Sequence, residues 1–196
     1  MSDNFVMRMV ELYDGLFALD EKDECDLYLD LGRQFLADGR PTEALQLFRK
    51  ATVIQPDAPA AWVEMGRHYL IRKAPKAALT ALNKALDLGV ESAEVHRCLA
   101  EALVLQDRFE EAEDELEIGL ELDPESPECW FDVGLLRDAR GDFDLAVEAF
   151  TKAADLEPDK VSHHQRLGFA LESAGRRSEA IVSFKAALKL ESAAGR

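Results

Sequence analysis

The feature that most constrains what this chain can fold into is a column of small residues that returns every 34 positions. From Gly134, steps of 34 residues fall on Ala100, Gly66 and Gly32 in one direction and on Gly168 in the other. A second column, Ala44, Ala78, Ala112, Ala146 and Ala180, keeps the same step without a slip. Self-similarity at a fixed period of this length means a stack of one supersecondary unit, because a unit that small cannot bury its apolar face alone. In the stretch from Pro127 to Lys160 the apolar residues recur at helical spacing on both sides of Gly141, so the unit reads as helix, tight turn, helix. A glycine inside a helix costs about 1 kcal/mol relative to alanine. Its recurrence in the first helix therefore predicts a place where the partner helix comes close.

Around this frame the first helix carries Trp62, Met65, Gly66 and Tyr69, and the second carries sets such as Ala44, Phe48, Ala51 and Pro56, or Ala146, Phe150, Ala153 and Pro158. In these residues the chain resembles the tetratricopeptide repeat family, whose pattern is Trp-x2-Leu-Gly-x2-Tyr, then Ala-x3-Phe, then a closing Pro. The resemblance implies an all-α fold, a right-handed α-solenoid of five helix-turn-helix repeats over residues 25–58, 59–92, 93–126, 127–160 and 161–194. Val90 and Ser192 stand in place of the closing proline, Ala100 in place of glycine, Arg137 in place of tyrosine and Gly119 in place of alanine. Residues 1–24 precede the first repeat and show apolar stripes through Phe5, Met9, Leu12 and Leu16 and through Val6, Val10, Tyr13 and Phe17. They read as an extra N-terminal helix, either capping the first repeat or lying in the groove. Gly39, before Pro41, supplies the turn of the first repeat, and Gly89 suits a left-handed cap at the end of the second.

A formal charge of −16 over 196 residues argues against nucleic acid and anionic membrane surfaces, since neutralising phosphates needs clustered Lys and Arg. No apolar run approaches the roughly 18 residues of a membrane span, and the first residues lack a basic leader. These features predict a soluble, cytoplasmic protein with no direct membrane insertion. Cys25, Cys98 and Cys129 form neither an even set nor a CxxC pair, so neither a disulfide framework nor a zinc site is expected. His96 and His164 fall in the column that holds Trp62 and Trp130 and read as imidazoles replacing an aromatic ring. His163 beside His164 points away from it on a helix and cannot chelate the same ion. With no nucleophile-base pair, metal spacing or phosphate loop, no enzyme activity, cofactor or metal is expected.

If Trp62, Met65, Gly66 and Tyr69 face the core, the helical angle turns Ala60, Glu64, Arg67 and Ile71 the other way. In the family that opposite face lines a concave peptide-binding groove. The resemblance thus points to Leu29, Arg33, Leu36, Val63, Arg67, Leu70, Ile71, Arg97, Glu101, Val104, Phe131, Asp132, Leu135, Arg166 and Phe169. Arg33 and Arg67 occupy the column that Leu135 and Phe169 occupy further on, which predicts a ligand acidic at one end and apolar at the other. The co-chaperones of the family grip a C-terminal carboxylate at places that match Leu29, Arg33, Glu64, Glu94 and Cys98 here, and that clamp is absent. The carboxylates from Glu110 to Glu121 read as a solvated outer face. The expected function is a non-catalytic adaptor or scaffold that takes a peptide or helix of a partner protein. The alternatives are a chaperone for an apolar segment and a self-assembling scaffold that forms homo-oligomers through an apolar C-terminal edge at Ile181, Phe184 and Leu188.

Overall fold

The computed structural model describes residues 20–194. Among them are ten α-helices and no strand: α1 (Glu21–Ala37), α2 (Pro41–Ile54), α3 (Pro59–Ile71), α4 (Pro75–Asp87), α5 (Ala93–Val104), α6 (Phe109–Leu122), α7 (Pro127–Arg140), α8 (Phe143–Leu156), α9 (Val161–Ser173) and α10 (Arg177–Ala194). They pair as five helix-turn-helix repeats of an all-α solenoid. Residues 1–19, most of the segment read as an extra helix, lie outside the described residues. Residues 21–24 belong instead to the first turn of α1, because the Asp20 carboxylate accepts from the Asp23 N–H at 2.8 Å and starts the helix there. Ser92 and Ser126 cap α5 and α7 in the same way, and Pro41, Pro59, Pro75 and Pro127 open α2, α3, α4 and α7, where a missing N–H does no harm.

The described residues fall into two compact units, 20–90 and 91–194. In the first, α1 to α4 enclose Cys25, Tyr28, Leu29, Phe35, Leu47, Phe48 and Met65. His68 is also fully buried there with neither ring nitrogen hydrogen-bonded. Burial, then Arg72 and Arg49, hold its pKa below the ordinary imidazole value. In the second unit a cluster of Ala146, Val147, Phe150, Ala170, Leu171 and Ala180 ties α8 to α9 and α10. The first unit ends where Gly89 closes α4 with φ at +87°. Gln55, Asp123 and Glu157, at the same place in other repeats, stay at negative φ and lead into prolines.

Each first helix meets its second helix through the small-residue column. A Cβ added to Gly32 would lie 2.3 Å from the Phe48 ring, one on Gly66 2.5 Å from Leu82, one on Gly134 2.6 Å from Phe150 and one on Gly168 2.6 Å from Phe184. The glycines are there because a large side chain 16 residues later lies across the helix backbone. Ala100 in the third repeat is matched by Leu116, a smaller partner than Phe. The turns obey the same period: Gly39, Lys73, Asp107, Gly141 and Gly175, 34 apart, all have φ between +52° and +83°. Lys73 and Asp107 hold a conformation that costs a residue with a Cβ roughly 1 kcal/mol or more.

Gly134→Ala should therefore destabilise the second unit. The helix-propensity gain is about 1 kcal/mol, whereas forcing a methyl into a filled seam costs about 1 to 3 kcal/mol, and Phe150 is fully buried with nowhere to retreat. A net loss of about 1 kcal/mol is expected from denaturant midpoints. Adding Phe150→Leu, which recreates the Ala100 and Leu116 pairing, should cost less in the Gly134→Ala background than in the wild type.

Candidate functional site

Five of the groove residues expected from sequence, Arg97, Glu101, Val104, Asp132 and Leu135, converge on one face of the second unit, where α5 lies beside α7. Arg97 is half-buried, as a long side chain lying on its own helix with its head turned to α7 would be. Its Nε and Nη2 donate to the two oxygens of Glu94 at 3.0 and 3.1 Å, and its Nη1 donates to Asp132 Oδ2 at 3.1 Å. Glu101 stands 4.0 Å from Nη1. Burial pulls the guanidinium pKa down, the Glu94 hydrogen bonds and the Asp132 charge push it up, and the net shift is upward. Burial pushes the Asp132 carboxyl up to about 6, although Arg97 pulls the other way. One guanidinium thus serves three carboxylates and does not fully offset the desolvation of the most enclosed one.

Beside this cluster is an open cleft of about 120 Å³ lined by Ala100, Glu101, Val104, Leu105, Leu116, Asp132, Leu135 and Leu136. Its walls are aliphatic and its two polar groups are the carboxylates of Glu101 and Asp132. The helical period puts Val104 and the C-cap residue Leu105 one turn after Glu101 of α5, with Asp132, Leu135 and Leu136 repeating the arrangement on α7. Cavities of about 150 Å³ with aliphatic walls accept a benzene-sized guest, so this one is matched to a single apolar side chain.

The remaining expected residues are placed differently. Leu29 and Leu70 are only 4% and 6% exposed and belong to the interior of the first unit. On a packed helix the position flanking the outward stripe turns towards a neighbouring element. Phe131 is drawn inward as well, its ring centroid 5.5 Å from Phe150 and 5.0 Å from His163. Arg33, in the first unit, donates from Nε to Glu64 Oε1 at 2.7 Å and from Nη1 to Asp30 at 3.2 Å. The positive end foreseen for the groove is internally neutralised there. Leu36 and Val63 are half-buried, while Arg67, Ile71, Arg166 and Phe169 are exposed. Glu64 and Asp132 share one column of the repeat, and each is met by an arginine of the preceding first helix. A carboxylate at that place in the register is the signal by which both pairs could have been found.

The outer acidic face is less solvated than its composition implies. Glu113 accepts from both Arg137 and, at 2.8 Å, Arg140, which joins α6 to α7. Glu115 meets His96 Nδ1 at 2.7 Å. His164 does replace tryptophan: Trp62 and Trp130 donate through Nε1 to the carbonyls of Pro56 and Pro124, each at 2.9 Å, and His164 Nε2 reaches the Pro158 carbonyl at 2.7 Å. Where Val90 replaces that proline, His96 turns to Glu115 instead. His163 is buried, bonded through Nδ1 to the Ala153 carbonyl at 3.0 Å.

The family model described as tetratricopeptide repeat matches the chain over residues 29–93, 75–127, 98–161 and 131–195. Protein O-mannosyl-transferase TMTC1 of Homo sapiens is 28% identical over 177 residues, which take in 88% of this chain and 20% of the transferase. The chain spans 25% or less of the length of the curated relatives it matches. Among solved structures, MamA is 27% identical with a TM-score of 0.70, covering 84% of this chain and 96% of the other. The thermophilic protein TTC0263 of Thermus thermophilus is 25% identical with a TM-score of 0.74, covering 85% and 91%. No helix of the described residues is long and apolar enough to cross a membrane.

The carboxyl of Asp132 should leave a mark on stability. Its folded pKa of about 6 lies above the unfolded value, so between about pH 4 and 6 the folded state holds a proton that the unfolded state has lost. Stability is then present in full below about pH 4 and falls as pH rises through 6, by up to roughly 3 kcal/mol. Asp132→Asn should remove this slope. Urea midpoints of the two proteins, subtracted at each pH, should diverge across that window and run parallel above it.

Proposed function

The chain belongs to the tetratricopeptide repeat family, and from that premise we propose that it is a non-catalytic adaptor that holds a segment of a partner protein against the α5 and α7 face of its second unit. Tetratricopeptide repeat proteins are in general protein-interaction scaffolds, and the surface built from successive first helices is the extended recognition surface of such stacks. What supports this site above others is the cleft itself: aliphatic walls from Val104, Leu105 and Leu135, a polar rim from Glu101 and Asp132, and a volume suited to one anchoring side chain. An anchor desolvated in such a pocket contributes about 2 kcal/mol or more on truncation. The transferase named among the relatives is matched over a fifth of its length, and its activity forms no part of the proposal. The buried thiols of Cys25, Cys98 and Cys129 suit a reducing compartment, and a cytoplasmic location goes with the same reading.

Replacing Leu105, which is exposed at the mouth of the cleft, by the photoreactive residue p-benzoylphenylalanine tests the site directly. In lysate of the source cell the partner should crosslink from position 105 and not from Glu117 on the outer face. Leu135→Lys should abolish capture while circular dichroism stays unchanged. Capture from 117 alone would place the interaction elsewhere.

A second reading, self-association, is favoured by the apolar surface of α9 and α10, where Phe169, Ile181, Val182 and Leu188 are each more than half exposed. Phe169 and Phe184 form an edge-to-face pair at 5.1 Å beside Leu188. Sedimentation equilibrium should then show a concentration-dependent dimer that Ile181→Lys with Leu188→Lys converts to monomer. A wild type that stays monomeric at the highest attainable concentration would remove this reading.

A further inference from the structure

We propose that the partner segment is basic as well as apolar: an aliphatic side chain enters the cleft between α5 and α7 while a neighbouring lysine or arginine of the same segment pairs with Glu101 and Asp132 at its rim. This rests on the adaptor reading and adds the chemistry of what is bound.

Glu94, Glu101 and Asp132 all lie within 4.0 Å of the Arg97 guanidinium. Arg97 is a single positive charge shared among the three. The positive charge is unevenly shared. Glu94 takes two hydrogen bonds from Arg97, Asp132 takes one, and Glu101 stands at the limit of an ion pair with 47% of its side chain exposed. Glu101, which takes no hydrogen bond from Arg97, and Asp132, which takes one, are the two that border the cleft. Burial raises the proton affinity of Asp132 against the pull of Arg97, and the charges of Glu101 and Glu94 add to the rise.

A cation in that place would supply the missing charge without displacing Arg97 from Glu94. The stem of a lysine or arginine is itself apolar and can lie along Val104 and Leu135 while its head reaches the rim. The net charge of −16 adds long-range attraction for a basic segment. An acidic segment, as Arg33 and Arg67 suggested from sequence, would meet like charge at this cleft, and Arg33 is already committed to Glu64 and Asp30.

The test uses the full chain and three fluorescent octapeptides with blocked ends, sharing an Ile-Leu centre flanked by lysine, by serine or by glutamate. Fluorescence anisotropy should give the lysine-flanked peptide about tenfold tighter binding than the serine-flanked one at about 0.1 M salt, where the screening length is about 10 Å. The advantage should shrink at about 1 M, where that length is about 3 Å, and the glutamate-flanked peptide should bind most weakly. Glu101→Gln should reduce the lysine preference several-fold, and Leu105→Ser should weaken both peptides. Equal binding of the serine-flanked and lysine-flanked peptides, both sensitive to Leu105→Ser, overturns the charge inference and leaves the adaptor site standing. A lysine preference indifferent to Glu101→Gln also overturns it. Lysine-flanked binding indifferent to Leu105→Ser reports diffuse attraction to an acidic chain and overturns both, as does binding of none of the three.

Discussion

Four of the five repeats depend on a large side chain lying on bare helix backbone. Phe48 on Gly32, Leu82 on Gly66, Phe150 on Gly134 and Phe184 on Gly168 leave no room for a methyl, so the two helices of a pair approach as closely as a ring and a backbone permit. Such a contact fixes rotation as well as distance, because only one residue per turn of the first helix can be omitted from the interface in this way. Once that rotation is set, the opposite stripe of each first helix faces outward at a known angle. The glycine contact therefore decides which residues are left to meet a partner, although it touches none of them.

The same rotation explains why charge appears inside the second unit's face. Asp132 and Glu64 share a column, and in both cases the carboxylate turns back towards the preceding first helix to find an arginine, Arg97 in one unit and Arg33 in the other. The arginines are not equivalent: Arg33 is 31 residues before its partner and Arg97 is 35 before its own. A partly buried carboxylate needs a nearby cation, and arginine has the reach to supply one from either of two adjacent places on the helix. Cys98 occupies the column between them and Arg166 follows, so the arrangement is a local solution in two repeats and not a property of every repeat.

Helix pairing, the glycine seam, the turns at Gly39 and Gly141 and the role of His164 were legible in the sequence because each follows from a period or from one helix viewed down its axis. Leu29, Leu70 and Phe131 were placed on the groove by the same angular projection, and it failed for them because the flank of a first helix is covered by a neighbour that the projection does not contain. The neutralisation of Arg33 and the bracketing of Glu113 by Arg137 and Arg140 were hidden for a related reason. They join residues 24 to 31 apart, and a charge count along the chain registers a solvated acidic run where the fold has built cross-braces. Val90 in place of proline was visible, yet its coincidence with the end of a compact unit is a matter of packing and not of period.

In the proposed mode of binding, affinity and selection are divided at the α5 and α7 cleft. An aliphatic anchor among Val104, Leu105, Leu116 and Leu135 gains from leaving water, is indifferent to salt and discriminates little between side chains of similar size. The carboxylates at the rim act in the opposite sense: exposed pairs add modest energy and are screened, but like charge placed against them is costly. Arg97 makes the division workable. By holding Glu94 through two hydrogen bonds and Asp132 through one, it braces those two, while Glu101 stands 4.0 Å from its Nη1, beyond hydrogen-bond distance. A second guanidinium at that point would leave the rim less negative and the cleft selecting more on shape. With Arg97 committed to Glu94 and Asp132 by hydrogen bonds, the proposed mode of binding leaves Glu101 to select by charge beside the apolar pocket.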